Sequence, residues 1–323
     1  MTTPDLAILI RAGDRRAIAR LIRDLDDGHP AARQTLLDLQ QKVAAAPTAV
    51  VVGITGGPGA GKSTLVDALI AHWRQGGERV GVVAVDPSSA VAGGAVLGDR
   101  IRMQRHAMDG GVFIRSLASR GDRGGLSRSA MNVAAVLAAA GFTRMVLETL
   151  GAGQAEVDIA AAADVTVVVM TPGMGDDIQT LKAGLLEIAD VLVLNKADRP
   201  GADAAVRDLQ AMLGLRLAAA TGRAAAGDIA IIKTVATSGE GVPALAAAID
   251  TARAQGLAAG AVRLRRRAEA RIRAVLTARL DAAARVALAP GGAASSLADD
   301  VAALRLDAEG AADALMARLA GGY

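Results

Sequence analysis

Apolar positions along the chain follow two different rhythms. Between residues 4 and 45, Ile8, Leu9, Ile18, Leu21, Ile22 and Leu25 recur at roughly helical spacing among Asp and Arg, which predicts two or three amphipathic helices. After "AAAPT" the rhythm changes. Val50 to Ile54 is an unbroken apolar run, followed by a helical pattern from Ser63 to about Gln75. Further runs follow in "RVGVVAVD", "TRMVLET", "DVTVVVM", "DVLVLN" and "IAIIKTVA", with helical patterns around 127–140 and at 178–188. Runs that are apolar on both faces and alternate with helices predict a doubly wound, mostly parallel α/β sheet covered on both sides. Past Gly241 the pattern is helical: one helix to about Ala254, a hinge at "GLAAGA", a long helix over 262–288, a break at "APGGAASS" and a last helix to about Leu319. The expected division is a helical extension over 1–45, an α/β domain over 46–255 and a helical arm over 256–323.

Composition narrows the chemistry. A chain of 323 residues can hold one such domain with helical additions. There is no cysteine, which excludes disulfides, thiolate catalysis and cysteine-ligated metal centres. His29, His72 and His106 have no ligand-like spacing. The first residues mix Asp and Arg without an apolar leader core, and no apolar run approaches the ~18 residues of a membrane span. A cytoplasmic protein without membrane contact is expected. The formal charge of +3 gives little reason to expect nucleic acid, and the Arg-rich run 263–267 has no interleaved aromatics, as a solvated or partner-facing helix would not. Lysine occurs only at 42, 62, 182, 196 and 233, and asparagine only at 132 and 195. Against such a bias toward arginine and alanine, Lys62, Asn195 and Lys196 mark positions that demand their side chains.

Those positions lie in motifs. Gly56-Gly-Pro-Gly-Ala-Gly61-Lys62-Ser63 fits G-x-x-x-x-G-K-[ST] between a predicted strand and a predicted helix. Glycines let backbone N–H groups turn around a β-phosphate, the lysine reaches the β/γ oxygens, and the serine hydroxyl takes Mg²⁺ at the helix N-terminus. Gly57, Pro58, Gly59, Ala60, Gly61, Lys62, Ser63 and Thr64 are the candidate phosphate-binding residues. This loop does not choose between ATP and GTP. Asn195-Lys196-Ala197-Asp198, directly after "VLVL", does: an N-K-x-D loop offers the Asp198 carboxylate to the guanine N1–H and 2-amino donors, a pairing adenine cannot make. Asn195 would tie the loops together and the Lys196 stem would cover the base. A second loop at 235–241, "VATSGEG", adds Ala236, Thr237 and Ser238 as candidate base-side contacts.

Acids complete the set. Asp86 ends a strand predicted to lie beside the first, Glu148 ends "VLE", and Asp99 sits in "GGAVLGDR". Asp86 and Glu148 suit Mg²⁺ and the γ-phosphate; for Asp99, a turn role is an equal alternative.

These segments, with "FIRSLASRGDRGGLSR", "ETLGAGQAEVDIA", "PGMGDDIQTLKAGLLEIADVLVLNKAD" and "GEGVPAL", resemble the MeaB/ArgK family in order and spacing over about residues 5–290. The resemblance implies a P-loop GTPase of the SIMIBI class, related to human MMAA, that serves as chaperone to an adenosylcobalamin-dependent acyl-CoA mutase. It implies GTP/GDP and Mg²⁺ as cofactors. Lys62, Asp99 and Glu148 would be catalytic, and Ser63, Asp86, Asp99 and Glu148 would surround the metal. The C-terminal arm would make a homodimer, as the apolar side Ile272, Leu276, Leu280 and Ala283 also suggests. Segments 88–105, 148–158 and 173–184 look like three switches, the last facing the mutase.

Within that last segment, "GMGDDIQTLKAG" is polar, glycine-bounded and placed after a strand ending near the nucleotide. Asp176, Asp177, Gln179 and Lys182 are therefore candidates to transmit mutase binding; an ordinary loop leading into a helix is the alternative. The sequence departs from the family pattern at Gly98-Asp99-Arg100, "ETLGAGQAE" and Lys182-Ala183-Gly184, which leaves the client mutase open. No glutamine occupies the usual water-positioning place, although Gln154 is close. Two rival readings use the same loop: a P-loop kinase of the older arginine/ornithine transport label, and a metal-insertion GTPase, for which a His/Cys-rich loading segment is missing.

Overall fold

The apolar runs form seven parallel strands in the order β3-β2-β4-β1-β5-β6-β7. These are β1 (Val50–Gly56), β2 (Val80–Asp86), β3 (Val112–Ala118), β4 (Arg144–Thr149), β5 (Val165–Met170), β6 (Val191–Asn195) and β7 (Ala230–Thr234). The structure is a computed structural model that describes residues 3–43, 49–86, 104–106, 108–118, 125–149, 162–173, 186, 188–219, 229–258 and 260–320.

Alternation along each strand divides the core into two layers. Val52, Ile54, Val146, Val167 and Val193 face helices α4 (Lys62–Gln75) and α7 (Val242–Ala258), which bury Leu65, Leu69, Trp73, Leu245 and Ile249 against them. On the opposite face Leu147 packs under α5 (Gly125–Ala139), and Val168, Leu192 and Leu194 pack under α6 (Ala202–Ala219). The doubly wound fold class predicted from the runs is the one observed.

Three N-terminal helices, α1 (Thr3–Arg11), α2 (Arg15–Asp26) and α3 (Pro30–Val43), lie over α5 as a further layer. Asp14 caps α2 by accepting the Ala17 N–H at 2.7 Å, and Ile18, Leu21, Ile22 and Leu25 are buried as their spacing predicts. Ile8 and Leu9, counted on the same apolar side, are exposed.

Strand starts are set by a repeated Ala-Asp-Val. Asp164 accepts the Val51 N–H at 2.7 Å and Asp190 accepts the Thr166 N–H at 2.9 Å, so each carboxylate extends the ladder by one rung beyond its own strand. At the same end of the sheet Arg144 bonds Glu78 and Asp250 and lies over the Trp73 ring, and the guanidinium holds the Glu78 carboxyl below its usual range.

Two elements have no counterpart in the predicted pattern. Strand β3 falls outside the predicted runs because Arg115 and Ser116 interrupt "VFIRSLA"; it buries Phe113 and Leu117 on one face and Val112 on the other. Helix α6 carries apolar side chains nearly all round, with Ala202, Ala205 and Leu209 buried, so no stripe stands out. The predicted helix at 178–188 lies outside the described residues except for 186 and 188–190.

The arm begins with α8 (Gly260–Leu288), which packs against α5 and α7. Beyond it the single predicted helix is two, α9 (Ser295–Ala302) and α10 (Ala308–Ala320), because the chain turns at Leu304, whose φ is 57°. Ala294, Leu297 and Leu315 form a small core of their own there. No helix among the described residues is long and apolar enough to cross a membrane.

Candidate functional site

β1 delivers the glycine-rich loop at the C-terminal edge of the sheet, where open α/β folds place their ligands. Gly56 has φ 141°, and a Cβ on it would lie 2.0 Å from the Val169 carbonyl oxygen of β5, so only glycine lets the chain leave the strand here. Gly59 and Gly61 also hold positive φ, and α4 starts at Lys62. The first turn of that helix points N–H groups without intrahelical partners at the loop. Lys62 is buried, and its ammonium donates to the carbonyls of Gly56 at 2.7 Å and Gly57 at 3.0 Å, so the charge lies across the loop.

Asn195, at the end of β6, joins three segments. Its Nδ2 donates to the Ala60 carbonyl at 2.9 Å, while its Oδ1 accepts from Thr234 Oγ1 and from the Ala236 N–H, both at 3.1 Å. A Cβ on Gly61 would lie 2.4 Å from that Nδ2, so the last loop glycine is what lets asparagine approach. Thr234 stands directly opposite Asn195 in the β6–β7 register. The sequence reading left it out; the signal was a hydroxyl residue closing the run "IAIIKT".

Lys196 adopts φ 58° and donates from Nζ to the Gly59 carbonyl at 2.8 Å, spanning the phosphate loop and the N-K-x-D turn. The Ala197 N–H bonds the Thr234 carbonyl at 3.1 Å, fixing that turn against β7. Asp198 is exposed beside it. The 235–241 loop is closed by the Val235–Glu240 pairing, with Ala236 buried, Thr237 and Ser238 exposed, and the Ser238 hydroxyl donating back to the Val235 carbonyl at 3.1 Å. Gly57 and Ser63 are half-buried, and Pro58, Gly59 and Thr64 are exposed.

Of the acids, Glu148 is fully buried at the end of β4, beside Ile54 of β1, and accepts the Ser63 hydroxyl at 2.5 Å. Asp86 ends β2, one position beyond the residue paired with Thr149 of β4, which puts its backbone at the same edge. Asp99, Asp176, Asp177, Gln179 and Lys182 lie outside the described residues, as does Gln154. The structure therefore brings together Lys62, Ser63, Glu148, Asn195, Lys196, Asp198 and the 236–238 loop. A hydroxyl and a buried carboxylate at a loop of inward N–H groups form a hard-oxygen donor set that fits Mg²⁺ beside phosphate.

Comparison with known proteins gives the family and the fold. The family described as "Methylmalonyl Co-A mutase-associated GTPase MeaB" matches residues 17–289. A protein of Pyrococcus abyssi named as a GTPase is 49% identical over 236 residues, 73% of this chain and 71% of that one. A fused isobutyryl-CoA mutase of Cupriavidus metallidurans is 41% identical over 214 residues, 64% of this chain but 19% of that much longer one. Among solved structures, one titled LAO/AO transport system kinase superposes with a TM-score of 0.65 at 22% identity, covering 98% of this chain and 97% of its own, a likeness of fold.

Proposed function

The chain belongs to the MeaB family of P-loop GTPases, and on that premise we propose that it is a Mg²⁺-dependent companion of an adenosylcobalamin-dependent acyl-CoA mutase. In this reading it acts in the cytoplasm and uses GTP hydrolysis to gate cofactor loading and protect the mutase. The observation that carries the nucleotide half is the Asn195 junction, which ties the phosphate loop to the turn bearing Asp198. Support for the mutase half is the relative that carries a segment like this chain inside a mutase polypeptide.

The chain's own groups divide the work. Lys62 and the N–H groups of the loop neutralise charge on the β/γ oxygens, where phosphoryl transfer needs it most. Asp198 accepts the two guanine donors while Lys196 covers the base. Ser63, Glu148 and Asp86 would hold Mg²⁺, with Asp99 joining them, and the ion would supply neutralisation of phosphate charge.

With no glutamine in the usual place, basal turnover is expected to be slow. An arginine or ordered loop from a partner raises such rates by roughly 10³–10⁵. Mixing the protein with its mutase is expected to accelerate GTP turnover, and Asp176→Ala or Lys182→Ala to keep the basal rate within about twofold while losing most of the acceleration. Phosphate release with and without mutase measures both. Acceleration retained in both variants removes residues 173–184 from the coupling; no response to methylmalonyl-, isobutyryl-, ethylmalonyl- or 2-hydroxyisobutyryl-CoA mutase removes the mutase itself.

The same reading makes the arm a homodimer element. Ile272, Leu276 and Leu280 recur every fourth residue along α8, exposed at 67%, 54% and 37%. Such a stripe favours a second copy over water. Light scattering is expected to give a dimer for the natural chain and a monomer for Ile272→Glu combined with Leu276→Glu; a dimer that survives both charges lies elsewhere.

A further inference from the structure

We propose that Thr55 and Thr149 are positioning residues for GTP turnover, their paired hydroxyls closing the seam between β1 and β4 beside Glu148. The pairing of these two strands starts with Val50 opposite Arg144 and ends with Ile54 opposite Glu148. One step later each strand follows a different neighbour. β1 runs on beside β5, with Gly56 opposite Val169, while Thr149 of β4 stands opposite Val85 of β2. The backbone ladder between β1 and β4 therefore gives out at the edge of the sheet that carries the phosphate loop.

Side-chain bonds take over there, one on each face. Alternation puts Glu148 on the α4 face with Val146, where its carboxylate accepts the Ser63 hydroxyl at 2.5 Å. Thr149 falls on the opposite face with Leu147, and Thr55 falls there with Val51. On that face the Thr149 hydroxyl donates to Thr55 Oγ1 at 3.4 Å, one residue past the last backbone pair.

Both threonines are fully buried, at 0% exposure. Valine would fill the same volume, suit a strand as well and bury no polar atom. At 3.4 Å the bond is long for two hydroxyls, so it returns little stability for that desolvation. What it supplies is a preferred spacing and direction across the seam, which two methyl groups do not. Thr149 follows Glu148 directly, and Thr55 precedes Gly56, whose carbonyl accepts from the Lys62 ammonium at 2.7 Å. The pair thus holds the backbone from which the metal-side carboxylate and the phosphate-side lysine are both placed. Small displacements of groups around a reacting phosphate are costly in rate. This role rests on Ser63 and Glu148 being metal-side residues, and it is independent of the mutase.

The test uses the full-length protein without a mutase. Thr55→Val combined with Thr149→Val is expected to lower kcat for GTP by about five- to tenfold. Calorimetry is expected to show metal-free GDP affinity within about twofold of natural, with most of the gain that Mg²⁺ gives the natural chain lost. The melting temperature is expected to stay within about 2 °C or to rise, because both partners of a buried bond become apolar groups of the same shape. Thr149→Ser keeps a hydroxyl and is expected to retain at least about half of the natural kcat. Thr166→Val makes the same chemical change at a buried position near the opposite end of the sheet, and is expected to keep kcat within about twofold. Thr55→Val alone stands in if the double variant does not fold. Natural kcat and Mg²⁺ dependence in the valine variant overturn the proposal, as does a kcat loss that Thr149→Ser shares or Thr166→Val reproduces. Ser63→Ala separates the two levels: a natural Mg²⁺ requirement there overturns the metal-side reading itself, whereas a raised requirement beside silent valine variants overturns the hydroxyl pair alone.

Discussion

Lys62→Ala is expected to lower GTP turnover by about 10²–10³-fold while the protein stays folded. The side chain of Lys62 is buried, and its ammonium donates to the main-chain carbonyls of Gly56 and Gly57 in the loop itself. Truncation costs those two carbonyls a donor at a place that opens to solvent through Pro58 and Gly59, which water can repair. What water cannot repair is a fixed positive charge against the β/γ oxygens, because a preorganised charge needs no reorganisation as the leaving group departs. Ser63→Ala removes the hydroxyl that donates to Glu148 and is expected to act chiefly on the Mg²⁺ requirement. Phosphate release gives the rates, and the single tryptophan, Trp73 on the same helix, reports folding by its fluorescence. A Lys62→Ala protein hydrolysing GTP at the natural rate would move the active site away from this loop.

Sequence revealed the parts of the site that are bound by local rules. The phosphate loop is legible because each glycine answers a steric demand of its neighbours: Gly56 the carbonyl of Val169, Gly61 the amide of Asn195. The fold class is legible because strands covered on both faces must be apolar throughout. Elements built by compromise were hidden. β3 is interrupted by Ser116 and by Arg115, which pairs with Asp26, so it does not read as a run. Nor does spacing along the chain disclose the meeting of Asn195 with Ala60, 135 positions apart, or of Asp67 with Arg105, since both are products of the crossover order of the sheet. Thr234 was missed for the same reason: its importance is a matter of register with Asn195.

Guanine selectivity is where the junction at Asn195 matters most. GTP and GDP are expected to bind about 10²- to 10⁴-fold more tightly than ATP and ADP, since two hydrogen bonds to a charged acceptor contribute roughly 1.5–3 kcal/mol each and adenine offers neither. The roughly 10⁴–10⁵ seen when a fully enclosed site loses its partner is the upper bound for such discrimination. Asp198→Asn converts the acceptor pair into one acceptor and one donor. That pattern no longer matches the guanine 2-amino group but matches xanthine, whose C2 carries a carbonyl, so the variant is expected to lose GTP and gain XTP by comparable factors. Asn195→Ala acts differently. It removes the bonds to Ala60, Thr234 and Ala236 together, loosening phosphate loop and base loop from each other, and is expected to weaken GTP, XTP and inorganic triphosphate alike. Calorimetry with GTP, XTP, ATP and inorganic triphosphate separates the two roles: an Asp198→Asn protein that still prefers GTP to XTP would take base recognition away from this turn.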